Sequence, residues 1–260
     1  MKSPRFPYAR HHHGTPGRQT PALDCQNVSV RYPRADRPAV QNVTLKVETG
    51  SRIALIGANG AGKSTLLKAA AGLLPVCGGD IHVHGSPVGG CCHRVAFLAQ
   101  RGELDWRFPM TVRKLVLTGR YVHLGWFSRA SNDDHRIVDE TLERLQIADL
   151  ASRRIGELSG GQQQRTLLAR AIAQEADMLL LDEPLNAVDA KTRSVVRAVL
   201  RSLSAAGKTI VVATHDTHDI EVEFDRVVHL SGGQCDGARR RLDEAREEAQ
   251  EQQTRLERIP

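Results

Sequence analysis

One octapeptide constrains the fold of this chain more than any other feature. Residues 57–64 read GANGAGKS, which matches the phosphate-binding pattern G-x-x-x-x-G-K-[ST]. The octapeptide follows the apolar run IALI and precedes the helix-forming TLLKAAAG, so it has the strand-loop-helix setting that the pattern requires. Glycine residues allow the backbone amides of such a loop to point at an anion, and the dipole at the helix N-terminus also favours negative charge there. The octapeptide therefore predicts a nucleotide-phosphate site in an α/β domain.

Short apolar runs recur along the chain and predict the rest of a parallel sheet. They are IALI at 53–56, VAFL at 95–98, MLLL at 178–181 and IVVA at 210–213. Continuous runs of this length are typical of strands that are covered on both faces. Helical stretches at 131–146 and 191–205 lie between them, and Ser131 is a candidate N-cap. Alternating helices and buried strands indicate an α/β fold.

The segment before the octapeptide has a different pattern. Apolar residues alternate with polar ones in two stretches, Val28, Val30 and Tyr32, then Val43, Leu45 and Val47. A period of two is typical of half-buried antiparallel strands. An antiparallel β subdomain is therefore predicted beside the parallel sheet.

Composition excludes several classes of protein. The 260 residues include 40% hydrophobic and 25% charged residues, as in globular proteins, and no apolar run approaches the roughly 20 residues of a membrane-spanning helix. The N-terminal MKSPRFPYAR lacks the apolar stretch of a secretory signal, and the five scattered cysteines indicate reduced thiols, so we expect a cytoplasmic chain. Most of the net charge of +6 comes from four basic residues in the first twenty. The rest of the chain is nearly balanced in charge and has no basic stripe along a predicted helix, so we expect no nucleic-acid partner.

Both termini differ from the middle of the chain. Residues 1–20 are rich in Pro, Gly, His and Arg and predict a disordered basic tail, although His11, His12 and His13 could bind a metal. Residues 237–260 carry nearly balanced charges and predict a solvated helix or tail, with partner binding as the alternative.

A second group of possible metal ligands lies inside the chain, at His82, His84, Cys91, Cys92 and His93. The spacings HVH and CCH do not place four ligands in an obvious tetrahedral set. Two strands and a turn explain this segment more simply.

Two carboxylates end a predicted buried strand. MLLLDEP places Asp182 and Glu183 at the carboxyl edge of the sheet, where open α/β folds bind ligands. Asp182 is suited to hold Mg²⁺, and Glu183 to orient and deprotonate an attacking water. The same residues could also form an ordinary acidic turn, but the phosphate loop in the same chain favours the catalytic interpretation.

Residues 158–162 read LSGGQ and are followed by QQRTLLARAIAQ. Ser159 and Gln162 have capping-box spacing, and the two glycines expose amides at a helix start. Together with GANGAGKS and MLLLDEP, this motif resembles those of the ATP-binding subunits of ABC transporters. A second LSGGQ at Leu230–Gln234 begins at the last residue of the apolar RVVHL, and its Gly232 and Gly233 predict a hairpin turn instead of a nucleotide contact.

The resemblance implies an architecture and a set of functional residues. It implies a P-loop NTPase (RecA-like) core within an ATPase domain of residues 21–236, with an inserted α-helical subdomain at about 101–157. It also implies ATP and Mg²⁺ as cofactors and a head-to-tail homodimer. Catalytic roles fall on Glu183, His215 and Gln100, and Mg²⁺ ligation on Ser64, Gln100 and Asp182. Nucleotide contacts fall on Tyr32, Gly57, Asn59, Gly60, Ala61, Gly62, Lys63, Ser64, Thr65, Ser159, Gly160, Gly161, Gln162 and Asp189.

Half of the chain's ten aromatic residues lie in one short span, and they raise a question of partners. Residues 100–127, QRGELDWRFPMTVRKLVLTGRYVHLGWF, are similar to the corresponding segment of importers of zinc, manganese and iron. The aromatic and arginine side chains there suit either an interface or the subdomain's own core, and they are Trp106, Arg107, Phe108, Tyr121, Trp126 and Phe127.

The resemblance implies that residues 100–127 contact a membrane permease at the cytoplasmic face, with an extracytoplasmic substrate-binding protein as an indirect partner. Iron-chelate, haem or cobalamin uptake is the alternative within transport. A non-transport ABC protein of DNA repair or translation is a further alternative. Such proteins typically carry a coiled-coil insertion or two cassettes, and neither is present in this sequence.

Overall fold

A computed structural model of the chain describes residues 20–89, 92–124, 129–186, 188–215 and 220–240. Some features of the sequence lie outside these ranges: residues 1–19 with His11 to His13, Cys91, the aromatic pair Trp126 and Phe127, and residues 241–260.

The larger sheet has six strands in the order β10-β9-β3-β8-β7-β6. These strands are β3 (Arg52–Ile56), β6 (Val95–Leu98), β7 (Met178–Asp182), β8 (Thr209–Thr214), β9 (Arg226–Ser231) and β10 (Gln234–Arg240). β3, β6, β7, β8 and β9 pair in parallel, and β10 is antiparallel to β9. The four predicted apolar runs are strands β3, β6, β7 and β8, so the predicted parallel α/β sheet is confirmed. Every residue of β7 is buried, as expected for a strand covered on both faces.

The smaller sheet is antiparallel and has the order β2-β1-β4-β5. Its strands are β1 (Leu23–Val30), β2 (Val40–Val47), β4 (Val76–Val83) and β5 (Ser86–Pro87). The alternating residues predicted from the sequence, except Tyr32 just beyond β1, point into a core that this sheet shares with the first helix and with the larger sheet. The predicted antiparallel subdomain is therefore present.

The described residues also form six α-helices: α1 (Lys63–Ala70), α2 (Val112–Leu117), α3 (Asn132–Arg144), α4 (Gly160–Ala173), α5 (Ala190–Ala205) and α6 (Ile220–Glu223). α3 and α5 are the helices predicted at 131–146 and 191–205. The predicted cap is also confirmed: the Ser131 hydroxyl accepts from the Asp134 amide, and the Asp134 carboxylate accepts from the Ser131 amide. Capping boxes of this kind satisfy two backbone donors that a helix end would otherwise leave unpaired.

The helical insertion is held together by apolar packing and one buried ion pair. α2 and α3 pack against α4 and share its core. Arg120 is only 7% exposed and donates to the Asp134 carboxylate at 2.9 Å, the Ala173 carbonyl at 2.8 Å and the Glu175 carboxylate at 2.7 Å. Burial acts to raise the pKa of Asp134, but hydrogen bonds from Ser131 and Arg120 outweigh it and lower this pKa to about 2. Arg120 therefore ties the start of α3 to the end of α4.

The structure divides the aromatic residues of the 100–127 segment between core and surface. Trp106 packs against the helical core. Phe108 and Tyr121 are 58% and 55% exposed. The core interpretation therefore holds for Trp106, and the interface interpretation stays a prediction for Phe108 and Tyr121.

Smaller findings concern possible metal ligands, membrane-spanning helices and the C-terminal boundary. His82 lies in β4, His84 follows it in the turn before β5, and His93 lies in the 3-10 turn Cys92–Arg94. Among the described residues, no three His, Cys, Asp or Glu side chains are grouped to hold a metal ion. Within the same residues, no helix is long and apolar enough to cross a membrane. At the C-terminus the predicted boundary at 236 falls inside β10, which continues to Arg240.

Candidate active site

A cleft of about 460 Å³ opens at the carboxyl edge of the larger sheet. Residues from four separate parts of the chain line it, and they are Tyr32, Ala39, Asn59, Gly60, Ala61, Gly62, Lys63, Ser64, Thr65, Gln100 and Glu183. All of these except Ala39 are site residues that the sequence predicts. Parallel strands bring their carboxyl ends to one edge, which explains how residues so distant in sequence meet here.

The phosphate loop joins β3 to α1 and presents backbone amides to the cleft. Gly62 is the N-cap of α1 and has a left-handed backbone (φ 100°), and no side chain within the described chain caps the helix. The amides of the first turn are therefore available to an anion. The Lys63 ammonium donates to the carbonyls of Gly57 at 2.7 Å and Ala58 at 3.0 Å. The positively charged ammonium therefore lies within the loop, where phosphate oxygens can replace the two carbonyls as its hydrogen-bond acceptors.

Tyr32 lies at the other end of the cleft. Its hydroxyl is 3.2 Å from the Thr65 hydroxyl, and the residue remains 39% exposed. A second cleft of about 420 Å³ continues on its far side, between residues 31–36 and Pro75–Cys77. An aromatic face flanked by open space suits the stacking of a purine base.

Asp182 ends β7 in a position that calls for a cation. It is fully buried, and neither carboxylate oxygen has a hydrogen-bond partner among the described residues. Burial raises the pKa of Asp182, and the Glu183 and Glu103 carboxylates raise it further, whereas Ser64 and Lys68 act to lower it. Ser64 is thus close enough to influence this carboxylate but does not form a regular hydrogen bond with it. An unpartnered carboxylate near a hydroxyl is an oxygen donor set that suits Mg²⁺.

Glu183 is held in the cleft by two side chains that converge on its carboxylate. The Asn186 side-chain amide donates to one oxygen at 2.7 Å, and His215 Nδ1 lies 3.4 Å from the other. Glu183 itself has a left-handed backbone (φ 50°), which is uncommon for a residue with a side chain and is often found at functional sites. The sequence predicted Glu183 and His215 but not Asn186, because an asparagine three residues after an acid is also an ordinary turn residue.

Gln100 is braced from outside the cleft. It precedes the 3-10 turn Arg101–Glu103, whose Glu103 amide donates to the Gln100 carbonyl at 3.0 Å. Lys68, on the last turn of α1, donates to the Glu103 carboxylate at 2.7 Å, and this hydrogen bond raises the pKa of Lys68. The turn that carries Gln100 is therefore tied to the helix that carries the phosphate loop. The sequence offered no signal for this ion pair, whose partners are 35 positions apart.

The LSGGQ motif lies at the start of α4 and does not line the cleft of its own chain. Ser159 and Gln162 form the predicted capping box. Gly161 packs so closely on the start of α5 that an added Cβ would lie 2.6 Å from the Thr192 hydroxyl and 3.1 Å from the Asp189 carboxylate. Asp189 caps α5 by accepting from the Thr192 amide at 2.7 Å, and this hydrogen bond lowers its pKa. Ser159 to Gln162 and Asp189 therefore form one surface, separate from the cleft.

Comparison with known proteins gives consistent matches. The sequence matches the family model described as ABC transporter over residues 40–186. The manganese transport system ATP-binding protein MntB of Halalkalibacterium halodurans is 40% identical over 211 residues, which are 81% of this chain and 83% of that protein. The zinc transport system ATP-binding protein TroB of Treponema pallidum is 43% identical over 210 residues, 81% of this chain and 78% of that protein.

Solved structures agree with these sequence matches. A dimeric ATP-binding cassette in a post-hydrolysis state, with ADP and Pi bound, is 25% identical. It superimposes with a TM-score of 0.74 over 84% of this chain and 98% of that one.

Proposed function

The chain belongs to the ABC transporter family as an ATP-binding subunit, and from this premise we propose that it powers the uptake of a divalent metal ion, manganese, zinc or iron. Subunits of this family bind and hydrolyse ATP and work as dimers with a membrane permease. The predicted P-loop NTPase fold is the fold of these cassettes. The observation that carries the metal assignment is the likeness, at 40–43% identity over four-fifths of the chain, to subunits named for manganese and zinc transport.

Support for the ATPase mechanism comes from how the cleft places its charged groups. Lys63 and the amides of the loop would bind the terminal phosphates, and Tyr32 would stack on the base. Ser64, Asp182 and Gln100 would hold Mg²⁺, which neutralises charge on the phosphates. Glu183 would take a proton from the attacking water, with Asn186 and His215 fixing the orientation of its carboxylate. His215 would also contact the γ-phosphate.

A second copy of the chain would complete the site. Ser159 to Gln162 and Asp189 lie together on one surface but outside the cleft of their own chain. Two bare glycines and a capped helix start are suited to bind phosphate oxygens. A head-to-tail dimer would place this surface of one protomer over the cleft of the other and enclose two ATP molecules. Symmetry supports this arrangement, because a two-fold axis repeats the same contact at both sites.

The permease would dock on the helical insertion. Phe108 and Tyr121 expose aromatic surface there, and aromatic side chains are favoured at the centres of interfaces. Such a contact would hold the subunit at the cytoplasmic face of the membrane as a peripheral protein. An extracytoplasmic substrate-binding protein would deliver the ion to the permease without touching this chain.

We expect Lys63→Ala to weaken ATP binding by about 10- to 100-fold, because hydrogen bonds to charged groups contribute about 1.5–3 kcal/mol each. Isothermal titration calorimetry of the purified chain with ATP measures the dissociation constant. Lys46→Ala is the matched control. Lys46 lies on β2, and among the described residues its exposed ammonium forms a salt bridge only with the exposed Glu48. Unchanged affinity in Lys63→Ala would contradict the assignment of the loop.

The transported ion is tested in the assembled complex. The subunit, its permease and the binding protein are reconstituted in lipid vesicles, and ATP hydrolysis is measured with Mn²⁺, Zn²⁺, Fe²⁺, an iron chelate, haem or cobalamin. Stimulation by one of the three ions, with uptake that Lys63→Ala abolishes, is the expected result. Stimulation by the chelate, haem or cobalamin alone would favour the alternative within transport. Co-purification with ribosomes or DNA instead of a permease would favour a non-transport ABC protein.

We expect Phe108→Ala and Tyr121→Ala each to weaken binding to the permease by about 1–2 kcal/mol, the range for aromatic side chains at interface centres. ATP affinity should stay unchanged, because neither side chain lines the cleft. Leu73→Ala is the control, since Leu73 is equally exposed, at 60%, but lies after α1 outside the helical insertion. Fluorescence titration of the permease in detergent measures all three variants, and an equal loss in Leu73→Ala would contradict the docking surface.

A further inference from the structure

The second LSGGQ, Leu230–Gln234, has no role in the chemistry described above, yet it lies directly behind the phosphate loop. It spans the end of β9 and the start of β10. Gly232 and Gly233 form the turn, with φ values of 55° and 82°, as two-residue turns of type I′ require. The predicted hairpin is confirmed, and the same five letters begin a helix in one place and form a turn in the other.

Sheet pairing brings this hairpin to the base of the phosphate loop. β9 runs parallel to β3, with His229 opposite Ile56, the last residue before the loop. β9 continues for two residues beyond this pair, so Leu230 lies against Gly57. A Cβ added to Gly57 would lie 2.1 Å from the Leu230 carbonyl oxygen. No side chain fits in that space, so the first residue of the loop rests on the backbone of the hairpin.

The turn also contacts the upper part of the loop. The Gly233 amide donates to the Ala61 carbonyl at 3.1 Å, and the Gly233 carbonyl accepts from the Gln41 amide at 2.7 Å. A Cβ added to the buried Gly233 would lie 2.7 Å from the Ala39 carbonyl oxygen. Ala39 and Ala61 both line the cleft. Gly233 thus connects two walls of the cleft through its backbone.

We propose that Gly233 is a positioning residue for the phosphate site, and that the hairpin of the second LSGGQ holds the loop in its binding shape from behind. The proposal rests on the nucleotide site proposed above. The backbone amides of the loop bind phosphate only if they keep their directions, and losing one hydrogen bond to a charged group lowers affinity by about 10- to 100-fold. A side chain at Gly233 has to push Ala39 or the hairpin away, and the hydrogen bond to Ala61 transmits that shift to the loop.

Two neighbouring glycines provide a matched test. Gly233→Asn and Gly232→Asn both place a residue that tolerates a left-handed backbone at a position with positive φ. Only Gly233 is close to other atoms, since a Cβ added to Gly232 would have no neighbouring atom within 4 Å. We expect Gly233→Asn to raise the dissociation constant for ATP by about 10- to 100-fold, the effect of losing one amide-phosphate hydrogen bond. Gly232→Asn should stay within about 2-fold of the wild type, since Asn-Gly is the favoured pair in such turns.

A separate readout distinguishes positioning from simple loss of stability. Binding of adenosine, which lacks phosphates, should be unchanged in Gly233→Asn at a temperature where circular dichroism shows the chain to be folded. If this variant does not fold, Gln41→Pro replaces it, because proline removes the amide that the Gly233 carbonyl accepts from. Gln41→Pro should then weaken binding of ATP but not of adenosine.

Wild-type ATP affinity in folded Gly233→Asn, or an equal loss in Gly232→Asn, would overturn the proposal. So would a loss of adenosine affinity as large as that of ATP. These results differ from a failure of the nucleotide site itself, in which the wild-type chain would not bind ATP or Lys63→Ala would bind it normally.

Discussion

Replacing Glu183 with glutamine should slow ATP hydrolysis by about 10²- to 10⁴-fold, the range that a positioned general base contributes. Glutamine keeps the shape and can still accept from Asn186, but it cannot take a proton from the attacking water. ATP affinity should change little, because the phosphate contacts assigned to Lys63 and the loop remain. Steady-state ATPase assays with the permease complex measure the rate, and calorimetry measures the affinity.

The same variant should accumulate as an ATP-bound dimer, since closure of the composite site would no longer be followed by hydrolysis. Sedimentation with and without ATP detects the change in mass. Glu143→Gln serves as the control, because Glu143 is exposed on α3 and does not line the cleft. Turnover at the wild-type rate in Glu183→Gln would show that another group is the base. A monomer in the presence of ATP would argue against the composite site.

Replacing Arg120 with methionine should lower the free energy of unfolding by about 3–5 kcal/mol, the typical effect of removing one partner from a buried ion pair. Methionine fills part of the space, but the buried Asp134 carboxylate loses its charged partner and the Ala173 carbonyl loses a donor. Urea denaturation followed by circular dichroism measures the difference. Such a loss is a large share of the stability of an ordinary domain.

Arg136→Met is the matched control on the same helix. Arg136 also pairs with two carboxylates, those of Asp133 and Glu140, but its side chain is 59% exposed. Exposed pairs contribute about 0–1 kcal/mol, so this variant should unfold almost like the wild type. Equal effects of the two substitutions would contradict the role given to burial.

The pH dependence of unfolding gives an independent check on the Asp134 network. The folded-state pKa of Asp134 is lowered from 3.8 to about 2. This carboxylate therefore adds stability above pH about 4, and the contribution is lost as the pH falls toward 2. Arg120→Met removes one cause of the lowered pKa, so its stability should depend less on pH across that window.

Much of the fold could be predicted because its signals are local. Period-two alternation predicted β1 and β2, continuous apolar runs predicted four parallel strands, and a serine at the start of the helical stretch predicted the cap of α3. Each signal depends on residues within a few positions of one another. The 100–127 segment shows the limit, because composition alone could not say that Trp106 is packed on the core while Phe108 is exposed. That division depends on how the insertion packs in three dimensions.

The candidate site shows the same contrast at atomic scale. The phosphate loop and the first LSGGQ could be placed from sequence, since each is a short motif whose backbone geometry follows from its own glycines and caps. The ion pair between Lys68 and Glu103 and the contact of Asn186 with Glu183 could not.

By itself the sequence determined the α/β class, the family, the phosphate loop and the carboxylates at the end of β7. Only the tertiary structure decided three further features. The buried Asp182 carboxylate has no hydrogen-bond partner among the described residues, two side chains contact the Glu183 carboxylate, and the backbone of Gly233 contacts the phosphate loop. The physical reason is range: dihedral preferences and helix caps act between close neighbours in the chain, whereas burial and steric contact depend on which distant segments the sheet brings side by side.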